Sequence, residues 1–312
     1  MATSGADTTR AKVSTQNMQY DAIGSKYGDI KSKPATQPEP PSVVEALGDW
    51  QGSFGLRAYM QVPGVWSGLI LDLLVLSGCI IRTMQAGPSD APQGRCSQAV
   101  DLACGLGFYS ALLVKLGAAS VHGYDISSTM VEAARKAHPH PNLHFEVADC
   151  SAPENLPTVE KPFDVVFAGW FLNYAGTESE LTSMFRVIAQ NLAVGGKFVG
   201  VTTNVTDPWV KEDKKRFYGI DVDVLEKEYI APDTRCEVGI KARVTVLSEP
   251  PFSFDVFQFR SEVYERCAKE AGLQVIWREH VLPDDERKQT GFWDEWLRRP
   301  TSSIIEAIHC SR

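Results

Sequence analysis

The stretch VDLACGLGFYS, residues 100–110, decides the fold of this chain. Apolar residues lead into two glycines separated by one residue, Gly105 and Gly107, and the carboxylate Asp101 precedes them. Glycine lets a backbone turn tightly and approach a ligand closely, and open parallel sheets bind ligands where a strand ends and a helix begins. The pattern therefore predicts a strand, a ligand-binding loop and a helix.

Strands and helices alternate on the C-terminal side of this loop. A second strand, SVHGYD, is predicted to end at Asp125, and a third, LHFEVAD, to end at Asp149. Two more strands, FDVVFAG and KFVGVTT, enclose a helix with apolar residues on one face. This alternation predicts an α/β protein with a doubly wound, mostly parallel sheet. The last third adds a strand, a helix and a strand, which is consistent with an antiparallel pair at the edge of the sheet.

The N-terminal region has a different character. Residues 19–30 have the spacing of a short helix, whereas residues 31–41 are rich in proline and are predicted to be a linker without regular structure. A second helix is then expected, with Ser42 as its N-cap, Glu45 completing a capping box, and Gly48 ending it.

The composition indicates a globular protein with an acidic surface. The chain has 312 residues, 44% of them hydrophobic, and a formal net charge of −8. This charge disfavours a nucleic-acid partner and favours a small-molecule one. The seven cysteines contain no C-x-x-C pair, and the H-P-H sequence at His138 and His140 is expected in a solvated loop, so no metal is predicted.

No targeting or membrane segment is expected. Residues 1–18 are polar and are predicted to form a disordered tail without a signal-peptide core. Residues 66–81 are apolar, but they include Asp72 and fall short of the ~20 residues that a spanning helix needs. We therefore expect a cytoplasmic protein without a membrane span. The sequence does not specify its oligomeric state.

Three carboxylates at the ends of predicted strands indicate the ligand. Asp101 would repel a pyrophosphate but attract an ammonium group. Asp125 can accept hydrogen bonds from both hydroxyls of a ribose, and Asp149 can accept one from a purine amine or, alternatively, cap the next turn. A ligand with an amino acid, a ribose and a purine but no phosphate is S-adenosylmethionine. A dinucleotide is the alternative, although Ser110 stands where its fingerprint has a third glycine.

Four motifs resemble, in order and spacing, those of the class I S-adenosylmethionine-dependent methyltransferases: VDLACGLGFYS, GYDISSTMVEAAR, FEVADC and FDVVFAGWFLNYA. YDAIGSKY and GFWDEWL are similar to segments of the small-molecule methyltransferases related to toxoflavin synthase and, more distantly, to the ubiquinone and menaquinone methyltransferases. The resemblance implies a Rossmann-like sheet of seven strands and a methyl transfer from S-adenosylmethionine to N, O or C of a small molecule, as in secondary metabolism.

The resemblance also implies the domains and the site residues. The tail 1–18 would precede lid helices at 19–52, an atypical insertion at 53–97 and the methyltransferase domain at 98–312. The implied cofactor contacts are Asp101, Ala103, Gly105, Gly107, Tyr109, Asp125, Ile126, Met130, Asp149, Cys150 and Ala168, with Tyr20 and Tyr27 on a lid. The implied substrate contacts are Trp170, Asn173 and Tyr174. For the lid tyrosines and the substrate residues, ordinary packing is an alternative role.

Several alternatives stay open at the level of sequence. Residues 53–97 lack a clean period, so they are either a lid or oligomerisation element or translated intron sequence. Direct methyl transfer makes no general base compulsory, and His280 and Tyr174 are the candidates if the acceptor needs one. Aromatic residues between 203 and 257 favour a planar or aromatic acceptor. A nicotinamide-dependent oxidoreductase and a non-catalytic binding protein are the rival functions.

Overall fold

The computed structural model describes residues 22–48, 97–157, 161–205 and 210–310. Within these ranges the chain forms a sheet of seven strands and a sheet of four. The predicted tail at 1–18, Tyr20 and residues 53–96 of the predicted insertion lie outside the described residues.

The strands of both sheets are, in chain order, β1 (Gln98–Leu102), β2 (Ser120–Asp125), β3 (Leu143–Val147), β4 (Phe163–Gly169), β5 (Leu192–Thr203), β6 (Lys214–Phe217), β7 (Ile220–Ile230), β8 (Glu237–Val246), β9 (Phe252–Phe259), β10 (Leu273–Arg278) and β11 (Ser302–His309). The larger sheet has the order β10-β11-β5-β4-β1-β2-β3, and the smaller has the order β6-β7-β8-β9.

The larger sheet is the doubly wound sheet that the sequence predicts. Strands β1 to β5 are mutually parallel, and β11 lies antiparallel between β5 and β10. The order reverses at β1, with β2 on one side and β4 on the other. Ligands bind outside the carboxyl ends of the strands at such a switch point. The predicted fold class is confirmed.

The described helices are α1 (Glu39–Leu47), α2 (Phe108–Lys115), α3 (Ser128–Ala137), α4 (Glu178–Asn191), α5 (Ser261–Glu270) and α6 (Asp294–Arg298). Short 3₁₀ helices span Gly24–Ser32, Pro34–Thr36, Pro153–Asn155, Leu172–Tyr174 and Glu286–Gln289. Helices α4 and α5 pack in the core on one side of the larger sheet, and α1 and α2 pack in a separate core on the other. Among the described residues, none of the helices has the length and apolar character needed to cross a bilayer.

The proline-rich region is more regular than the sequence predicts. Helix α1 begins at Glu39, inside the predicted linker, because Pro40 and Pro41 occupy its first turn, where backbone N–H groups have no helical partner. The predicted capping box is wrong: Ser42 lies within the helix, and its Oγ donates to the Pro38 carbonyl at 2.7 Å. The predicted end is confirmed, since Gly48 caps the helix with a φ of 56°.

The four-stranded sheet packs beside the larger one, on residues that precede α1 and follow β4. Sequence patterning predicts only part of β8, at residues 242–249, and the rest of this sheet is not foreseen. Its apolar face packs on Ile30 and Tyr174, and the Tyr27 and Phe254 rings lie 5.8 Å apart. The opposite face carries polar cross-strand pairs such as Arg243 with Asp255, at 2.7 Å. The small sheet thus packs against the N-terminal segment and against the 3₁₀ helix that follows β4.

Candidate functional site

A cavity of about 320 Å³ lies at the carboxyl edge of the larger sheet, near the switch point at β1. Its walls come from the glycine-containing loop after β1, the ends of β2 and β4, and the 3₁₀ segment Gly24–Ser32. The residues that line it are Tyr27, Gly28, Lys31, Asp101, Ala103, Cys104, Gly105, Leu106, Phe108, Tyr109, Asp125, Ile126, Met130, Ala137, His138, Asp149, Cys150, Gly169, Trp170, Phe171 and Tyr174.

The two loop glycines have different roles. Gly105 has a φ of 53°, and a Cβ added there would meet open space, as expected where a ligand approaches the backbone. Gly107 has a φ of 77°, but a Cβ there would lie 2.8 Å from Cζ of Phe145. Gly107 therefore allows the loop to pack closely against β3, and it does not line the cavity.

Asp101 is a buried carboxylate at the centre of the site. Its Oδ2 accepts a hydrogen bond from Oγ of Ser110 at 2.6 Å. Burial raises the pKa of Asp101 to about 7, and the nearby Asp125 adds to this increase, whereas the Ser110 hydrogen bond and Lys31 oppose it. A cationic group placed beside Asp101 would favour its ionised form.

Asp125 and Asp149 each bind backbone or amide N–H groups that shape the loops around the cavity. Asp125 accepts from N–H of Gly105 at 2.8 Å and from N–H of Ser127 at 2.9 Å. Asp149 accepts from N–H of Ser151 at 2.9 Å and from the Asn155 amide at 3.0 Å, so it does cap the following turn. A carboxylate offers about four lone-pair sites, so a side chain of this type can bind backbone N–H groups and a ligand at the same time.

A lysine and a buried glutamate join the site from the N-terminal region. Nζ of Lys31 lies 2.7 Å from Oε2 of Glu39 and 4.6 Å from the centre of the Tyr109 ring. The Tyr109 hydroxyl donates to the same Oε2 at 2.7 Å. Neither Lys31 nor Glu39 is predicted from the sequence, because both fall in a stretch that reads as a linker.

Aromatic side chains form the wall beyond β4. Trp170 has a φ of 61°, which is unusual for a bulky residue, and its backbone N–H donates to the Val201 carbonyl at 2.7 Å. Phe171 and Tyr174 line the cavity beside it. Backbone strain of this kind tends to occur at ligand sites, where surrounding contacts maintain it.

The structure brings together most of the predicted residues. The predicted residues that line the cavity are Asp101, Ala103, Gly105, Tyr109, Asp125, Ile126, Met130, Asp149, Cys150, Tyr27, Trp170 and Tyr174. Gly107, Ala168 and Asn173 are buried outside the lining. Tyr20 lies outside the described residues.

Two histidines differ from their predicted roles. His280 does not line the cavity; its ring packs 4.8 Å from that of Trp296. His138, expected in a solvated loop, is half-buried and lines the cavity, and burial lowers the pKa of its imidazole. It follows α3 directly, and the chain's return towards β3 brings it to the cavity.

Comparison with known proteins agrees with the architecture. Residues 99–196 match a family model described as a methyltransferase domain. A demethylmenaquinone methyltransferase from Chlorobaculum parvum is 37% identical over 90 residues, which are 28% of this chain and 35% of that protein. The chain thus matches about a third of the length of this curated relative.

Solved methyltransferase structures are similar at lower identity. An S-adenosylmethionine-dependent methyltransferase from Mesorhizobium loti has 21% identity and a TM-score of 0.47, with 70% of this chain and 93% of that chain covered. CalS10, an amino pentose methyltransferase from Micromonospora echinaspora, has 19% identity and a TM-score of 0.41, with 70% and 85% covered.

The strand order defines a Rossmann-like sheet, and the cavity lies at its carboxyl edge near the switch point, where sheets of this kind bind ligands. Residues 99–196, which hold β1 to β4 and the three carboxylates of the site, are the part of the chain that is similar to a methyltransferase domain.

The residues present fit S-adenosylmethionine. The cavity wall carries three carboxylates, Asp101, Asp125 and Asp149, which suit a ligand with an ammonium group, a ribose diol and a purine amine. Such an acidic wall is unsuited to a pyrophosphate, the central group of a dinucleotide. The open space beside Gly105 permits close contact between a ligand and the backbone.

Proposed function

We propose that this protein transfers a methyl group from S-adenosylmethionine to a nitrogen, oxygen or carbon atom of a small planar or aromatic metabolite. One observation carries the proposal: a single cavity joins three carboxylates at the ends of β1 to β3 to an aromatic wall after β4. The acidic side suits the cofactor, and the aromatic side suits an acceptor.

The chemistry requires little of the protein beyond alignment and exclusion of water. The bound cofactor supplies an electrophilic methyl group on a positively charged sulfur. The acceptor's lone pair forms the new bond to carbon while the carbon–sulfur bond breaks and its electron pair stays on sulfur. An N–H or O–H acceptor then loses its proton to water or to a base. The buried walls of the cavity favour this displacement, because the positive charge on sulfur becomes spread over sulfur, the methyl group and the acceptor in the transition state.

In this proposal each part of the cavity wall contacts a different part of S-adenosylmethionine. Asp101, Ala103, Gly105 and Tyr109 face the methionine part; Asp125, Ile126 and Met130 face the ribose and adenine; and Asp149 and Cys150 face the adenine edge. Tyr27 closes the cofactor from the N-terminal segment. Gly107 and Ala168 act indirectly, by supporting the loop and β4.

Trp170 and Tyr174 are proposed to hold the acceptor. The backbone of Trp170 has a left-handed conformation, and its N–H stays hydrogen-bonded to Val201 of β5. We propose that this arrangement holds the indole ring at the cavity. Aromatic side chains bind planar groups well through their faces and edges. His280 is not proposed as a base, because its ring packs on Trp296 away from the lining.

A labelling experiment tests the proposal. The purified full chain is incubated with S-adenosylmethionine carrying a radiolabelled methyl group and with a small-molecule extract of the source cells. We expect label in an extractable metabolite, and much less label with Asp125→Asn. Purified protein that binds S-adenosylhomocysteine but never transfers label would favour a non-catalytic binding protein. A thermal shift with NAD and none with S-adenosylhomocysteine would favour an oxidoreductase.

A further inference from the structure

The amino-acid part of the proposed cofactor carries a carboxylate as well as an ammonium group, and the cavity must accommodate both. Three acidic side chains line the wall, and all of them would repel a carboxylate. Lys31 is the only lysine or arginine among the described residues that line the cavity. We propose that the Lys31 ammonium binds the carboxylate of the cofactor's methionine part. The proposal rests on the function proposed above and adds a subsite to it.

The geometry around Lys31 prepares its ammonium for an anion. Nζ bonds Oε2 of Glu39 at 2.7 Å and lies 3.3 Å from the Tyr109 hydroxyl. An ammonium has three N–H donors, so one remains for a further acceptor. The side chain is 20% exposed, which leaves it accessible from the cavity.

The position of Lys31 suits one end of a zwitterion. Its charge is close enough to Asp101 to lower the pKa of that carboxyl, and Tyr109 contacts Lys31 on its ring face. Asp101 and Lys31 therefore offer opposite charges at neighbouring points of the same wall. An α-amino acid group, with its ammonium and carboxylate on one carbon, matches such a pair.

Glu39 is the positioning residue for Lys31. It is fully buried at the start of α1, and its Oε1 has no hydrogen-bond partner among the described residues. A buried carboxylate without a cation is strongly unfavourable, so Glu39 keeps Lys31 at the cavity wall. Because Lys31 lies on the segment Gly24–Ser32, ligand binding would also hold this segment over the cavity.

A comparison of two ligands on each variant tests the proposal. Isothermal titration calorimetry with the full chain measures the dissociation constants of S-adenosylhomocysteine and of its analogue that lacks the carboxylate. For the wild type we expect the analogue to bind about tenfold or more weakly, as for loss of a charged hydrogen bond. In Lys31→Met the two ligands should bind within about twofold of each other.

Three further variants make the result decisive. Lys33→Met removes a charge two residues away, where Nζ bonds the Leu247 carbonyl, and should keep the wild-type preference. Lys31→Arg should keep most of the wild-type preference for the ligand that carries the carboxylate. The double variant Lys31→Met with Glu39→Gln removes the buried unpaired charge, so it keeps the test valid if the single variant fails to fold.

Equal preference for the carboxylate in wild type and Lys31→Met would overturn the assignment. An equal loss of affinity for both ligands in Lys31→Met would also overturn it, because Lys31 would then only shape the segment. Wild-type protein that binds neither ligand would instead refute the proposed function itself.

Discussion

At the scale of the residue, the central feature is a buried carboxyl group whose ionisation is unfavourable. Asp101 lies buried beside Ser110, near Asp125, and its pKa is about 7. The sequence places this acid before the loop and predicts an ammonium partner for it. Its raised pKa depends on burial by the whole site, and a pattern of neighbouring residues does not reveal it.

The raised pKa of Asp101 predicts pH-dependent binding of S-adenosylhomocysteine. Its ammonium group prefers the ionised carboxylate, so the affinity should fall by up to about tenfold per pH unit as the pH drops below 7. Calorimetry between pH 6 and pH 8, in buffers of different ionisation enthalpy, should detect proton release on binding near pH 7. Asp101→Asn should bind more weakly, with little dependence on pH in this range.

The same group affects stability with a definite sign. The folded protein holds the Asp101 proton more tightly than the unfolded chain, because the folded pKa is raised from 3.8 to about 7. Asp101 therefore makes the free energy of unfolding decrease as the pH rises from about 4 to about 7. For the binding prediction, a wild-type affinity for S-adenosylhomocysteine that stays constant from pH 6 to pH 8 would contradict the raised pKa of Asp101.

At the scale of the element, helix α1 shows how local signals can mislead. Ser42 and Glu45 have the spacing of a capping box, yet the helix starts three residues earlier, at Glu39. The hydroxyl of Ser42 instead bonds the Pro38 carbonyl, and the Val281 N–H donates to it at 2.8 Å. A capping pattern predicts that a start is close, but only the contact with Val281 explains why this serine is buried.

This difference predicts unequal effects of two alanine substitutions. Ser42→Ala should lower the free energy of unfolding by about 1–3 kcal/mol, because it leaves the Val281 N–H without its bond. Glu45 is exposed, and Glu45→Ala should change the free energy of unfolding by less than about 0.5 kcal/mol. Urea denaturation of both variants provides the measurement. Similar losses for the two would support the capping box instead.

At the scale of the whole molecule, three distant parts of the chain meet at Ala35. Its carbonyl accepts from Nε1 of Trp296 at 3.0 Å and from Oγ1 of Thr301 at 2.7 Å. Its N–H donates to the Tyr218 carbonyl at 3.0 Å, in the hairpin of the small sheet. These bonds hold the N-terminal region immediately after the segment that carries Tyr27 and Lys31. Through Trp296, the C-terminal motif GFWDEWL therefore contacts the N-terminal region directly.

The contact at Ala35 predicts a selective effect on cofactor use. The double variant Trp296→Phe with Thr301→Val removes both donors to Ala35 while keeping most of the packing. We expect KM for S-adenosylmethionine to rise about 30-fold, from two hydrogen bonds of about 1 kcal/mol each, with kcat within about twofold. Faster hydrogen exchange over residues 24–36 should accompany the rise.

Trp277→Phe is the matched control for this variant. The Trp277 indole donates to exposed Glu265 and lies on β10, so its loss should leave KM unchanged. A double variant at Trp296 and Thr301 that retains the wild-type KM would show that the Ala35 contact does not position the segment.

The sequence alone determined the parallel sheet, the glycine-containing loop and the three acids at the strand ends. Each of these depends on periodicity or on a residue's place relative to its own strand, which are local properties. Only the tertiary structure decided that Lys31, paired with the buried Glu39, lines the cavity, that a second sheet packs on Tyr27 and Tyr174 of its wall, and that burial raises the pKa of Asp101. Those features depend on contacts between residues far apart in the chain, such as Tyr109 with Glu39 across 70 positions, and on burial by several elements at once.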